Sequence, residues 1–97
     1  MTSDYWTVDI VGQAKKSAKI LPKNVAASFS LLFMELRTLG PYRIDWPNYT
    51  KMKGSLEDYH CHVEKGRPTY VACWRIVDKK QRIIEVYYAG THEKAPY

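Results

Sequence analysis

The chain has 97 residues, 15 Lys and Arg against 10 Asp and Glu for a net charge of +5, and 45% hydrophobic residues. This composition suits one domain over residues 1–97 with a core of its own, and it excludes a disordered chain. The longest apolar-rich stretch, residues 25–36, contains Ser28, Ser30 and Glu35 and is far too short for a membrane span.

The opening Met1-Thr2-Ser3-Asp4-Tyr5 lacks the basic-then-apolar pattern of a secretory signal. Residues 6–11, Trp6-Thr7-Val8-Asp9-Ile10-Val11, are β-prone and read as a first strand, ended by Gly12. Residues 13–20 predict a helix with Ala14 and Ala18 toward an apolar side that continues to Leu21. Lys15, Lys16 and Lys19 lie opposite, as a solvated face or as part of a footprint on RNA. Pro22 stops that helix and opens the next, over residues 23–39, where Val25, Phe29, Leu32 and Leu36 recur at helical spacing with Phe33 beside them. Gly40-Pro41 ends it.

Residues 40–56 predict a long loop, punctuated by Pro41, Asp45, Pro47, Asn48 and Gly54. It carries Arg43, Lys51 and Lys53 among Tyr42, Trp46 and Tyr49, whose rings either pack against the sheet edge or contact a ligand. Three strands are predicted next. Residues 58–64 put Tyr59, Cys61 and Val63 on one face and Asp58, His60, His62 and Glu64 on the other. After the turn Lys65-Gly66-Arg67-Pro68, residues 69–77 are apolar on both sides, as in a central strand, and residues 82–89 form the last. The fold class is α+β: an N-terminal strand, a helical hairpin and a three-stranded antiparallel meander, in one sheet with the helices on one face. Trp46 and Trp74 read as core, Tyr87 and Tyr88 as sheet packing, and Cys61 and Cys73 as buried, reduced thiols of a cytoplasmic protein.

His60, His62 and His92 are the only histidines, and the first two share a strand face. His92 follows the last strand, whose end can return near that face if the meander is regular. Imidazole moves protons near neutral pH. On a basic domain, such a cluster suits acid/base chemistry on an anionic polymer. A histidine pair on a strand is also commonly just solvent-facing. His-x-His with a third histidine can hold zinc; no acidic residue is clearly placed to serve as the base, so the preferred reading uses no metal and no cofactor.

This layout, with Tyr59-His60-Cys61-His62-Val63-Glu64 and the ending Gly90-Thr91-His92, resembles the RelE/ParE superfamily of bacterial toxins. Within it, the chain is most similar to the YafQ-like and RelE/StbE-type ribonuclease toxins. The resemblance implies the toxin of a type II toxin–antitoxin system: an mRNA interferase that cuts message in the ribosomal A site. It implies a cognate antitoxin that holds the toxin inactive, operator-DNA binding by the pair through that antitoxin, and no membrane partner. His62 matches the strand histidine of the YafQ-like pattern, His92 its C-terminal histidine, and Tyr97 the terminal aromatic that stacks on a base. His60 falls where RelE has a lysine, and Lys51 and Lys53 match a basic loop segment. The YafQ-like acidic residue four places after the strand histidine is Gly66 here. The early-strand arginine of RelE falls near Val71.

On this reading His62 and His92 transfer protons and Tyr97 stacks on a base. His60 and Arg67 contact phosphate, and Lys51, Lys53 and Lys94 give longer-range support. Two other readings remain open: a ParE-like gyrase poison, and a non-catalytic basic module that binds nucleic acid or protein.

Overall fold

A helix that starts at a proline and stops at a glycine organises the domain. In the computed structural model, which describes residues 4–54 and 57–97, helix α2 spans Lys23–Leu39 between Pro22 and Gly40. Gly40 has φ +97, and a Cβ there would come within 3.2 Å of Trp6 Nε1, so both conformation and space favour glycine. The backbone of Trp6 is tied to the same corner, donating to Arg37 O at 2.7 Å.

The strands are β1 (Thr7–Ile10), β2 (Thr50–Lys51), β3 (Asp58–Glu64), β4 (Tyr70–Asp78) and β5 (Ile83–Thr91), with α1 at Gly12–Ser17. They form one five-stranded sheet in the order β1-β5-β4-β3-β2. Strands β3, β4 and β5 make the expected antiparallel meander, and β1 joins its far edge parallel to β5. Among the described residues, no helix is long and apolar enough to cross a membrane.

Three differences from expectation exceed a single residue at an element's end. Helix α1 ends at Ser17 rather than residue 20, and the chain closes in turns with Lys19 N bonded to Lys16 O and Ile20 N to Ser17 O. The approach to Pro22 disfavours continued helix. The long loop contains the short edge strand β2, pairing Thr50 with His60 and Lys51 with Tyr59; the loop's expected end, Ser55 and Leu56, lies outside the described residues, as do Met1, Thr2 and Ser3. Strand β5 runs on through Gly90 and Thr91, which pair with Val71 and Tyr70.

Beyond the end of β1, a side chain takes over the edge of β5. The Gln13 amide donates to Ala89 O and accepts from Ala89 N, both at 3.2 Å. The loop after α2 is pinned through Glu35, which accepts from Trp46 Nε1 at 2.8 Å and pairs with Arg43 at 3.2 Å. Trp74 Nε1 donates to Pro41 O at 3.0 Å, and the Tyr49, Tyr59 and Trp74 rings stack below.

The main core lies between helices and sheet: Phe29, Leu32 and Leu36 of α2 and Ala14 of α1 meet Cys61, Trp74, Ile84 and Val86. Full burial of a side chain such as Leu32 is worth about 1.5–3 kcal/mol. A smaller cluster of Val71, Cys73 and Tyr88 sits apart, with Tyr87 and the tail residue Ala95 packed on it. Cys73 pairs across the ladder with His60 and Val71 with His62, so this cluster shares the histidines' face. Both cysteines are buried and free, and burial pushes each thiol up to about 12.

Candidate active site

Alternation along β3 sorts its side chains as the sequence predicts. Tyr59, Cys61 and Val63 are buried, while His60 and His62 are partly exposed on the opposite face. Glu64 does not stay with them. The β3–β4 register shifts between His62 and Glu64, and Ser28 Oγ on α2 donates to Glu64 Oε2 at 2.6 Å. The irregularity turns that carboxylate toward the helices, correcting the expectation that it shares the histidine face.

His92 returns to the strand pair. It opens a single turn of 3-10 helix, His92–Lys94, at the end of β5, and its backbone N donates to Thr69 O at 2.8 Å. Its ring lies 5.4 Å from that of His62, edge to face at 74°. The two imidazoles flank an open cleft of ≈ 680 Å³ completed by Arg67, Pro68, Thr69 and Glu93. The tail then crosses the sheet face. Tyr97 stacks on His60 with centroids 4.1 Å apart and stands edge-on to His92 at 5.9 Å. His60 Nδ1 lies 3.1 Å from Met52 Sδ.

Burial holds His62 below the usual imidazole value, with further lowering from His92 and Lys65. His60 is lowered too, by burial first and then by His62 and His92. The Tyr97 phenol is pushed up to about 12, mainly by burial, and remains neutral at physiological pH.

The remaining basic candidates spread out. Arg67 lines the cleft. Lys94 borders a separate cleft of ≈ 290 Å³ with Tyr70, Tyr88 and Gln13, beyond the Thr91–Lys94 turn. Lys51 pairs with Tyr59, which starts its side chain on the helix side of the sheet; Glu57 is held below the usual carboxylate value by its hydrogen bonds with Tyr59 and Lys79, and Lys51 adds only the smallest share. Lys53 is exposed in the turn after β2. Sequence reasoning missed Met52 and Glu93. Alternation through Thr50-Lys51-Met52 is the signal for Met52, but it is visible only once β2 is recognised as a strand. Among the described residues, no group of three or more His, Cys, Asp or Glu side chains is arranged to hold a metal ion.

No protein-family model matches the sequence, and no curated protein matches it. Solved structures do match. A mutant of the Escherichia coli toxin RelE in the free state aligns with a TM-score of 0.70 at 16% identity, over 92% of this chain and 85% of that one. RelE in the archaeal RelE-RelB complex of Pyrococcus horikoshii aligns with a TM-score of 0.63 at 19% identity, over 94% of this chain and 99% of that one. The five-stranded mixed sheet with a helical pair on one face is thus an instance of the RelE-like fold.

Proposed function

We propose that this chain is the toxin of a toxin–antitoxin pair, an endoribonuclease that cuts mRNA on the ribosome by metal-free acid/base catalysis. The observation that carries the reading is the His62–His92 pair, 5.4 Å apart, at a cleft bordered by Arg67. The RelE-like fold adds support, and the neighbour solved with RelB supports an antitoxin partner. That antitoxin supplies any operator-DNA contact of the pair.

RNA carries its own nucleophile. The 2′-hydroxyl attacks the adjacent phosphorus, one imidazole takes its proton, and the other gives a proton to the departing 5′-oxygen. The products are a 2′,3′-cyclic phosphate and a 5′-hydroxyl, so atoms and charge balance without another reactant. His62, whose proton affinity is lowered by burial and then by His92 and Lys65, suits the base, and the second imidazole of the pair is left to serve as the acid. Arg67 stabilises the charge that accumulates on the phosphorane oxygens. Tyr97 offers its free ring face to a base, with 45% of the residue exposed. Lys51, Lys53 and Lys94 raise the local potential for a polyanion.

Inducible expression in growing bacteria, with RNA ends mapped, tests this reading. Growth arrest with new 5′ ends inside translated messages, both lost in His92→Ala, is the expected result. Arrest accompanied by intact messages and impaired gyrase supercoiling would replace it with the gyrase-poison reading.

A further inference from the structure

His60 stands apart from the other two histidines in what surrounds it. One face of its ring is covered by Tyr97 at 4.1 Å, and its Nδ1 is turned to the Met52 thioether at 3.1 Å. His62 and His92 instead border the open cleft. Tyr97 has its second ring contact with His92, edge-on at 5.9 Å, and His92 meets His62 in the same manner at 5.4 Å. The rings thus form a continuous series, from Met52 at the sheet edge through His60, Tyr97 and His92 to His62.

We infer that His60 is a positioning residue: pinned by Met52, its ring seats Tyr97, and the seated tyrosine fixes His92 against His62. The inference rests on the proposed ribonuclease reading for its consequence, and on geometry alone for the arrangement. Ala95, packed on the Val71, Cys73 and Tyr88 cluster, anchors the tail just before Tyr97. A single alanine is a slight anchor, and the broad ring contact with His60 is what sets the direction of the last residues. Stacking needs a flat ring and does not need an exchangeable proton. The position therefore calls for an aromatic side chain, where a phosphate contact would call for a donor or a charge.

The test uses His60→Ala and His60→Phe in the full chain, read first by NMR. In the parent protein, the Tyr97 ring protons sense the ring current of His60. His60→Ala is expected to move both the Tyr97 and the His92 ring resonances, and His60→Phe to keep those of His92 near their original positions. In RNA cleavage, His60→Ala is expected to lose up to about 10²-fold in rate, the scale of a displaced catalytic group, and His60→Phe to recover most of that loss. Adding Tyr97→Ala to His60→Ala costs nothing beyond Tyr97→Ala alone. Unmoved His92 resonances in His60→Ala overturn the inference, whatever the Tyr97 signals do on losing the ring current. So does a His60→Phe protein with His92 in place that cuts as slowly as His60→Ala, because the imidazole itself is then required. Moved resonances in a chain whose parent form cuts no RNA uphold the positioning and overturn the ribonuclease reading.

Discussion

The two faces of the sheet are covered very differently. The helix side is closed by α2 and α1, with Phe29 1% exposed and Leu32, Leu36 and Trp74 fully buried. Among the described residues, the histidine side has a cluster of three buried apolar residues under a few residues of tail. One face supplies the stability, and that lets the other keep imidazoles, an arginine and an open cleft at its surface. A second helical layer over His62 would bury the ring and close the cleft.

Cavity-forming substitutions test the division most severely. Leu32→Ala should cost about 2–5 kcal/mol in urea unfolding. Val71→Ala, on the histidine side and also fully buried, should cost less, roughly 1.6 kcal/mol at about 0.8 per lost CH₂, because the tail can settle into the space. Equal costs would mean that the tail closes its face as tightly as the helices close theirs.

Tyr97→Ala should separate binding from folding. Loss of the proposed base-stacking ring is expected to weaken RNA engagement by about 1–3 kcal/mol, read as a rise in KM on programmed ribosomes beside the fall in rate expected once His92 loses its seat. The midpoint of unfolding should barely move, since the residue is 45% exposed. A large stability loss with unchanged KM would make the ring part of the core.

The smallest effect is a pH slope. His60 and His62 both titrate below the usual imidazole value, chiefly through burial. Unfolded imidazoles titrate at about 6.5, so below that pH the unfolded chain binds more protons than the folded one. The stability these groups contribute is complete above about pH 6.5 and is lost as pH falls through their folded values. Thermal unfolding from pH 7 to pH 5 should show that loss, and His62→Gln should flatten it. An unchanged slope would mean that the ring is more hydrated than its surroundings indicate.

Much of this was legible in the residues. Pro22, Gly40 and the Val25, Phe29, Leu32, Leu36 stripe bound α2 to the residue, and strict alternation bounded β3. The resemblance of Cys61-His62-Val63-Glu64 and Gly90-Thr91-His92 to toxin sequences pointed toward the fold. Other features depended on long-range pairing that local pattern does not encode. Strand β2 is two residues long and exists only because β3 offers an edge. Glu64 leaves its face through a register shift between strands. The parallel docking of β1 on β5, and the Gln13 clip that continues it, join residues more than seventy apart in sequence. The stacking of His60 on Tyr97 was hidden for the same reason, since the partner is the far end of the chain.

The decisive measurement is cleavage of message on programmed ribosomes by the purified chain and by folded His62→Ala and His92→Ala variants, with product ends identified. Loss of roughly 10²–10⁴-fold in rate for each variant, the usual worth of a positioned proton donor or acceptor, together with 2′,3′-cyclic phosphate ends from the parent chain, is the expected result. Undiminished cutting by both variants, or ends bearing a 3′-hydroxyl and 5′-phosphate, would contradict the claim that these two rings carry the protons.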